Sequence, residues 1–268
     1  MSDPANNINA DIVFSCSVEK VFHSEIIIEH HALVRVLSGE MRVVQAEQTY
    51  IFGAGDTFLL PRNLPAAVIK RPIDGRPYKS VSIYLKPDSL QDYYRRHVFI
   101  APHPHPPRIA LFDKHLLLES FFASILPYFE MDEVLPENII SVKVEEAISI
   151  LRNIDRGIDT VLAYFEEPGK ISLSEFMEKN FMFNMTMEKF GYLTGRSLTT
   201  FKRDFKKAFN TTPQKWLTQK RLELAHYQLT VKKRKPVEIY FEVGFENLSH
   251  FSYAFKKQFG YSPNTAPS

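Results

Sequence analysis

From His31 onward, apolar and polar residues alternate in short runs broken by glycine, proline and asparagine. HALVRVLSGEMRVV (residues 31–44) sets Ser38-Gly39 between two runs rich in β-branched residues, the pattern of a hairpin. QTYIF, Gly53-Ala54-Gly55-Asp56 and TFLLP repeat strand, turn and strand, and AAVIK and KSVSIYL continue the series. Turn signals at roughly eight- to twelve-residue intervals predict a small sandwich or barrel over residues 11–85. Its core should hold Val34, Val36, Phe58, Leu60, Ile83 and Leu85.

The period then changes. A polar segment, KPDSLQDYYRRHVFIAPHPHPPRI, carries prolines at 102–107 that forbid a continuous helix. Two amphipathic helices are expected next, over residues 111–129 and 137–152. The second places Ile140, Val144, Ala147, Ile148 and Leu151 on one face. That face suits either packing within the chain or a homodimer seam shared with residues 111–129. Glu166-Glu167-Pro168-Gly169-Lys170 reads as a linker.

Beyond the linker the helical period persists, starting at a Ser172 or Ser174 cap, and one segment is written twice. FKRDFKKAFNTTP (residues 201–213) returns as FSYAFKKQFGYSP (residues 251–263). Each copy follows a short helical stretch and a glycine-containing turn, Thr194-Gly195-Arg196 and Gly244-Phe245-Glu246, which is the layout of a helix-turn-helix. Leu198, Phe201, Phe205 and Phe209 form one apolar stripe, and Leu248, Phe251, Phe255 and Phe259 form its counterpart. The opposite faces carry Thr199, Lys202, Arg203 and Lys206 in the first copy and Ser249, Ser252, Tyr253 and Lys256 in the second. Hydroxyls and arginine address base edges or phosphates, and lysines further along the helix suit phosphates.

Charge sharpens this reading. Residues 1–170 hold 17 Lys/Arg against 23 Asp/Glu, and residues 171–268 hold 16 against 8, which together return the chain's totals of 33 and 31. An acidic front and a basic rear suit either different partners, the rear a polyanion such as double-stranded DNA, or simply two domains kept soluble by their charge. Between the copies, PQKWLTQKRLELAHYQLT has Trp216, Leu217, Leu222, Ala225 and Leu229 compatible with one continuous buried face. At ~1.5 Å per residue it makes a rod of about 27 Å, against ~34 Å between successive major-groove openings. The duplication therefore reads as a device for two successive turns of one duplex. Lys232-Lys233-Arg234-Lys235 is either a phosphate clamp or a solvated loop.

Residues 171–263 resemble the AraC/XylS family of transcriptional regulators. LTGRSLTTFKRDFKKAFNTTPQKWLTQKRLELAHYQL is similar to the family's first helix-turn-helix with its linker helix. EVGFENLSHFSYAFKKQFGYSP is similar to the second unit, with Val243-Gly244-Phe245, Ser249, Phe251, Phe255, Lys256, Phe259-Gly260 and Pro263 in place. The resemblance implies base-facing positions at Thr199, Lys202 and Arg203, and at Ser249, Ser252 and Tyr253. Tyr253 stands where a basic residue is common and Tyr240 where alanine is usual, which shifts the second unit toward positioning. RNA polymerase is the further partner expected of an activator of this kind; the residues themselves do not give the sign of regulation.

VRVLSGEMRVVQAEQTYIFGAGDTFLLPRNLPAAV is similar to the cupin-like effector barrel found ahead of such DNA-binding regions. The fold expected is thus α+β in two domains: residues 1–165, a cupin-like β-barrel with appended helices for effector binding or dimerisation, and residues 171–268, an all-α, homeodomain-like double helix-turn-helix. Metal-binding cupins need His and Glu converging from neighbouring strands. Here the adjacent His30 and His31 should point to opposite faces, Pro65 stands where a further histidine is usual, and His103 and His105 lie in a proline-rich turn. The expectation is no metal, no other cofactor and no catalytic residue. A small organic effector would meet His23, Arg35, Tyr50, Arg62 or Tyr84. Two alternatives stay open: a cupin-type oxygenase or isomerase, which would require a metal, and a scaffold controlled by a protein partner. The single cysteine, Cys16, excludes an intramolecular disulfide framework. With no secretory signal and no apolar run of membrane-spanning length, the cytoplasm is the expected compartment.

Overall fold

The computed structural model describes residues 6–9, 11–17, 22–99, 108–130 and 136–266, with strand residues 6–9 and 22–27 described by backbone alone. His103 and His105 lie outside the described residues. The chain forms two compact units. One comprises Met1–Val44, Thr49–Leu64 and Val68–Glu166; the other comprises Glu167–Ser268 with Gln45–Gln48 and Pro65–Ala67.

The first unit is β-rich. Its strands are β1 (Asn6–Asn9), β2 (Ile12–Ser17), β3 (Phe22–Ile27), β4 (His31–Ser38), β5 (Glu40–Val44), β6 (Thr49–Phe52), β7 (Thr57–Leu60), β8 (Pro65–Arg71), β9 (Tyr78–Leu85) and β10 (Ala110–Phe112). They form a six-stranded sheet ordered β1-β2-β9-β4-β7-β10 and a four-stranded sheet ordered β3-β8-β5-β6. Neither sheet closes on itself among the described residues, so the observed architecture is two open sheets rather than one closed barrel.

Both glycine turns that resemble hairpins are corners. β4 pairs with β7 and β9, while β5 pairs with β6 in the other sheet. Gly39, at φ +77°, carries the chain from one sheet to the other. A Cβ there would stand 2.7 Å from the Arg71 carbonyl oxygen and 2.9 Å from Tyr78 Cα, so the sheets approach closely at this point. Residues 53–56 turn the second corner, where Asp56 Oδ2 accepts a hydrogen bond from the Gly53 N–H at 2.7 Å. The hairpin of this region is instead β5–β6, in register from Met41–Phe52 to Val44–Thr49.

Strand alternation divides the six-stranded sheet into two faces. Ile12, Leu33, Leu59, Val81, Ile83 and Leu85 pack against helices α1 (Pro87–Arg96), α2 (Leu116–Ile125) and α3 (Glu137–Ile154), and against the short α4 (Asp159–Leu162). The expected core residues Val34, Val36, Phe58, Leu60, Ile83 and Leu85 are all buried. The apolar face of α3 (Ile140, Val144, Ala147, Ile148 and Leu151) is buried within this core. Helix α1 was not expected from the sequence. It starts with a proline in its first turn and buries Leu90, Tyr93 and Tyr94 at helical spacing. The expected helix over 111–129 begins instead as β10, paired with β7; His115 then caps α2 by accepting from the Leu117 N–H at 3.3 Å. Arg152 binds Asp159 through two bonds of 2.7 and 2.9 Å, and the Tyr94 hydroxyl donates to the same carboxylate at 2.6 Å.

The second unit is helical. It contains α5 (Leu173–Asn180), α6 (Met187–Leu193), α7 (Leu198–Phe209), α8 (Pro213–Thr230), α9 (Pro236–Ile239) and α10 (Leu248–Phe259). Five of the six starts have a side-chain cap: Ser172, Thr186, Ser197, Thr212 and Asn247 accept backbone hydrogen bonds as N-caps, while α9 starts on Pro236. Helices α7 and α10 both end in a left-handed residue, Asn210 and Gly260.

Helix α8 does not have one buried face. Trp216 meets Phe181, Phe205 and Phe209 at ring distances of 6.3, 5.6 and 4.7 Å. Leu222, Ala225 and Leu229 belong to a different core, with Ile239, Val243, Phe245, Phe251 and Phe255. At ~100° per residue the second set lies roughly 180–240° round the helix axis from Trp216. One helix thus serves two cores on nearly opposite sides.

Candidate nucleic-acid interface

The apolar stripes fix which way α7 and α10 face. Phe201 and Phe205 are completely buried, as are Phe251 and Phe255, and each set stacks in a chain of rings ending at Phe209 and Phe259. The opposite sides are then left to solvent. Thr199, Lys202, Arg203 and Lys206 are exposed on α7; Ser249, Tyr253 and Lys256 are exposed on α10, with Ser252 half-buried beside them. All eight sequence-assigned positions therefore lie on the two helices, seven of them exposed.

The charges on α7 are arranged locally. Arg196, in the turn before the helix, donates from Nε to Asp204 Oδ2 at 3.1 Å and from Nη1 to the carbonyls of Thr194 and Ile171. Arg196, and after it Arg203, hold the Asp204 carboxyl below the usual carboxylate range. Arg203 reaches the other Asp204 oxygen only at 3.3–3.4 Å, and its side chain is 75% exposed. Such a loose, solvated pair costs little to exchange for another anion.

The basic run before α9 is partly engaged within the fold. Arg234 forms a bidentate pair with Glu242 at 2.5 and 2.9 Å. Lys233, Arg234 and Lys235 line a cavity of about 290 Å³ with Leu229, Pro236 and Asn264. Tyr240 packs against the second core.

In the front unit a cavity of about 350 Å³ lies between the two sheets. Its lining includes Ala32, Val34, Leu60 and Met41, with Lys70 and Tyr84 among its polar groups. Of the five residues suggested for an effector, Tyr84 lines this cavity. Arg35 points to the helix side of β4, where it grips Glu119 at 2.8 Å to both oxygens and donates to Thr57 Oγ1. Arg62 donates to the carbonyls of Tyr164 and Glu166 at 2.9 and 3.0 Å. Tyr50 stacks on Phe52, and His23 lies on β3, described by backbone alone. His30 lines the cavity, while His31 is buried with Nδ1 accepting from the Arg62 N–H at 3.2 Å. Among the described residues no three His, Cys, Asp or Glu side chains group as metal ligands do, and no helix is long and apolar enough to cross a membrane.

Sequence reasoning missed Arg221, the buried cation of α8, and the Asn184–Glu246 pair, joined at 2.9 Å. The available signal was a lone arginine in a helix stretch otherwise burying Trp216, Leu217, Leu222 and Ala225.

Two capped helices, each set behind a glycine turn with a polar face outward, define a tandem helix-turn-helix module on a chain with a separate β-rich unit. Residues 193–266 match the family described as a helix-turn-helix domain, and residues 31–164 match the ExsA N-terminal regulatory domain. The virulence regulon transcriptional activator VirF of Yersinia enterocolitica is 24% identical over 254 residues, 90% of each chain. The regulator ExsA of Pseudomonas aeruginosa is 24% identical over 237 residues, 85% of this chain and 83% of its own. The solved structure of apo ToxT from Vibrio cholerae covers 95% of this chain and 96% of its own at 12% identity and a TM-score of 0.47. The chain belongs to the AraC/XylS family: it is a DNA-binding transcription regulator with an N-terminal regulatory domain.

Proposed function

We propose that residues 171–268 read two successive major grooves of one duplex, with α7 and α10 as recognition helices, and that residues 1–165 regulate this binding. Thr199, Lys202 and Arg203 meet base edges; Ser249, Ser252 and Tyr253 place the second helix; Lys206 and Lys256 contact phosphates. The observation that carries this reading is that both helices bury phenylalanines on one side and leave these residues on the other. The relatives named as transcriptional activators support activation of transcription; RNA polymerase as partner and the cytoplasm as compartment belong to the same proposal.

A small organic effector in the cavity between the sheets is the regulatory input. Its volume falls within the ~300–1,000 Å³ of ligand pockets. His30, Lys70 and Tyr84 are among the polar groups on its lining that a ligand would meet. The paired sheets suit the cupin-like arrangement without a metal. Helices α2 and α3 carry a homodimer seam, supported by exposed Leu116, Leu117 and Val142.

The test is footprinting and quantitative binding of the full chain. Protection should span about two helical turns per monomer. Arg203→Ala should weaken the preferred site by about 1–3 kcal/mol and relax base preference at one position. Protection of a single groove, or indifference to Arg203→Ala, would overturn the assignment.

A further inference from the structure

One side chain of α8 grips both helix-turn-helix units at once. Arg221 is only 7% exposed. Its Nε donates to the Phe181 carbonyl at 2.8 Å and its Nη2 to the Phe183 carbonyl at 2.8 Å, both in the loop between α5 and α6. Its Nη1 donates to Asn184 Oδ1 at 3.4 Å and to the Gly244 carbonyl at 2.9 Å, in the turn that precedes α10. The guanidinium therefore joins the supporting loop of the first unit to the turn of the second.

Gly244 is the seat of this joint. It holds φ +91°, and a Cβ there would stand 2.5 Å from the Met182 carbonyl oxygen and 2.6 Å from Arg221 Nε. The two backbones meet with no room for a side chain between them. At the rim, Asn184 Nδ2 donates to Glu246 Oε1 at 2.9 Å, a second tie between the same two segments. A helix rod alone would bend and twist, because each core holds only its own end of α8. A buried cation bound to main-chain carbonyls from both sides restrains that freedom, since opening the joint breaks charge-assisted hydrogen bonds on one side or the other.

We propose that Arg221, seated on Gly244, fixes the angle and separation of α7 and α10 and so makes the protein select DNA sites by the spacing between two recognition blocks. This rests on the reading that both helices enter successive grooves. One inserted base pair moves the second block by ~3.4 Å and turns it by roughly 35° about the duplex, more than a locked pair of helices can follow. Arg221 is a positioning residue; it reads no base itself.

The experiment selects sites for the full chain from a random duplex pool, then measures affinity for the selected site and for versions with one base pair added or removed between its blocks. Wild type should lose more than about ten-fold on either change. Arg221→Gln, with native circular dichroism, should bind the selected site more weakly but lose less than about three-fold on either change. Asn184→Ala/Glu246→Ala, which cuts the rim tie, should show a smaller loss of discrimination in the same direction, and it decides the matter if Arg221→Gln does not fold. Two selected blocks with wild-type spacing discrimination retained by the folded variants would overturn the proposal and leave Arg221 a stabilising residue. A single selected block would overturn the two-groove reading itself, and the proposal with it.

Discussion

His31 opens β4 with its ring buried and its Nδ1 already committed to the Arg62 N–H. Burial, then the Arg62 and His30 charges, push its pKa down to about 3. The ordinary value, near 6.5, applies when the chain unfolds. The folded pKa is therefore the depressed one, and between these values the unfolded chain binds a proton that the folded chain refuses. Stability from this group is fully present above about pH 6.5 and is lost as pH falls toward 3, by at most about 1.4 kcal/mol per pH unit. His31→Asn keeps an acceptor for Arg62 but cannot titrate. Urea denaturation from pH 7 to 4.5 should show a shallower fall for the variant; parallel curves would exclude His31 as an acid-sensitive group. Alternation made part of this scale legible. Once Val34 and Ser82 face the cavity, Tyr84 must follow and Arg35 must not. The direction of Arg62 was beyond that logic, because its partners lie about a hundred residues away in loop carbonyls.

Elements were legible where a period runs unbroken and obscure where one residue redirects the chain. The phenylalanine stripes of α7 and α10 and the apolar face of α3 followed from spacing alone, but spacing left open whether the face of α3 packs within the chain or on a second copy. Gly39 did not, since a Ser-Gly turn between two strands looks the same whether the strands pair or part; only the second sheet decides. Helix α1 hid because a polar segment and nearby prolines outweighed three residues at helical spacing. Helix α8 combined two faces into what looked like one, and its behaviour can be tested. Trp216→Ala should cost about 3–5 kcal/mol and Leu229→Ala about 2–5 kcal/mol, since each empties a packed site. The effects should fall on different partners. Hydrogen exchange should quicken in α7 for the first variant and in α10 for the second. Equal quickening in both helices for either variant would mean that the two cores open as one.

At the scale of the whole molecule, a net charge of +2 hides the division that matters. Residues 171–268 carry twice as many Lys/Arg as Asp/Glu, 16 against 8, and the charge pattern pointed to a polyanion before any helix was placed. It could not say which cations are available. The fold occupies several: Arg221 is buried in carbonyl contacts, Arg234 is held by Glu242, and Arg196 by Asp204. Lys206 and Lys256 remain exposed at matching places on α7 and α10. If each neutralises one phosphate, their joint replacement by alanine should flatten the slope of log affinity against log salt by roughly 2, at about 0.9 per contact. Preference among sequences should survive, because phosphate contacts carry no base information. Arg203→Ala should do the reverse, relaxing the preference while changing the slope little. Titrations of both variants on one duplex at several salt concentrations separate the two roles. An unchanged slope in the lysine variant would place the phosphate contacts elsewhere, with Lys232, Lys233 and Lys235 as the next cations to replace.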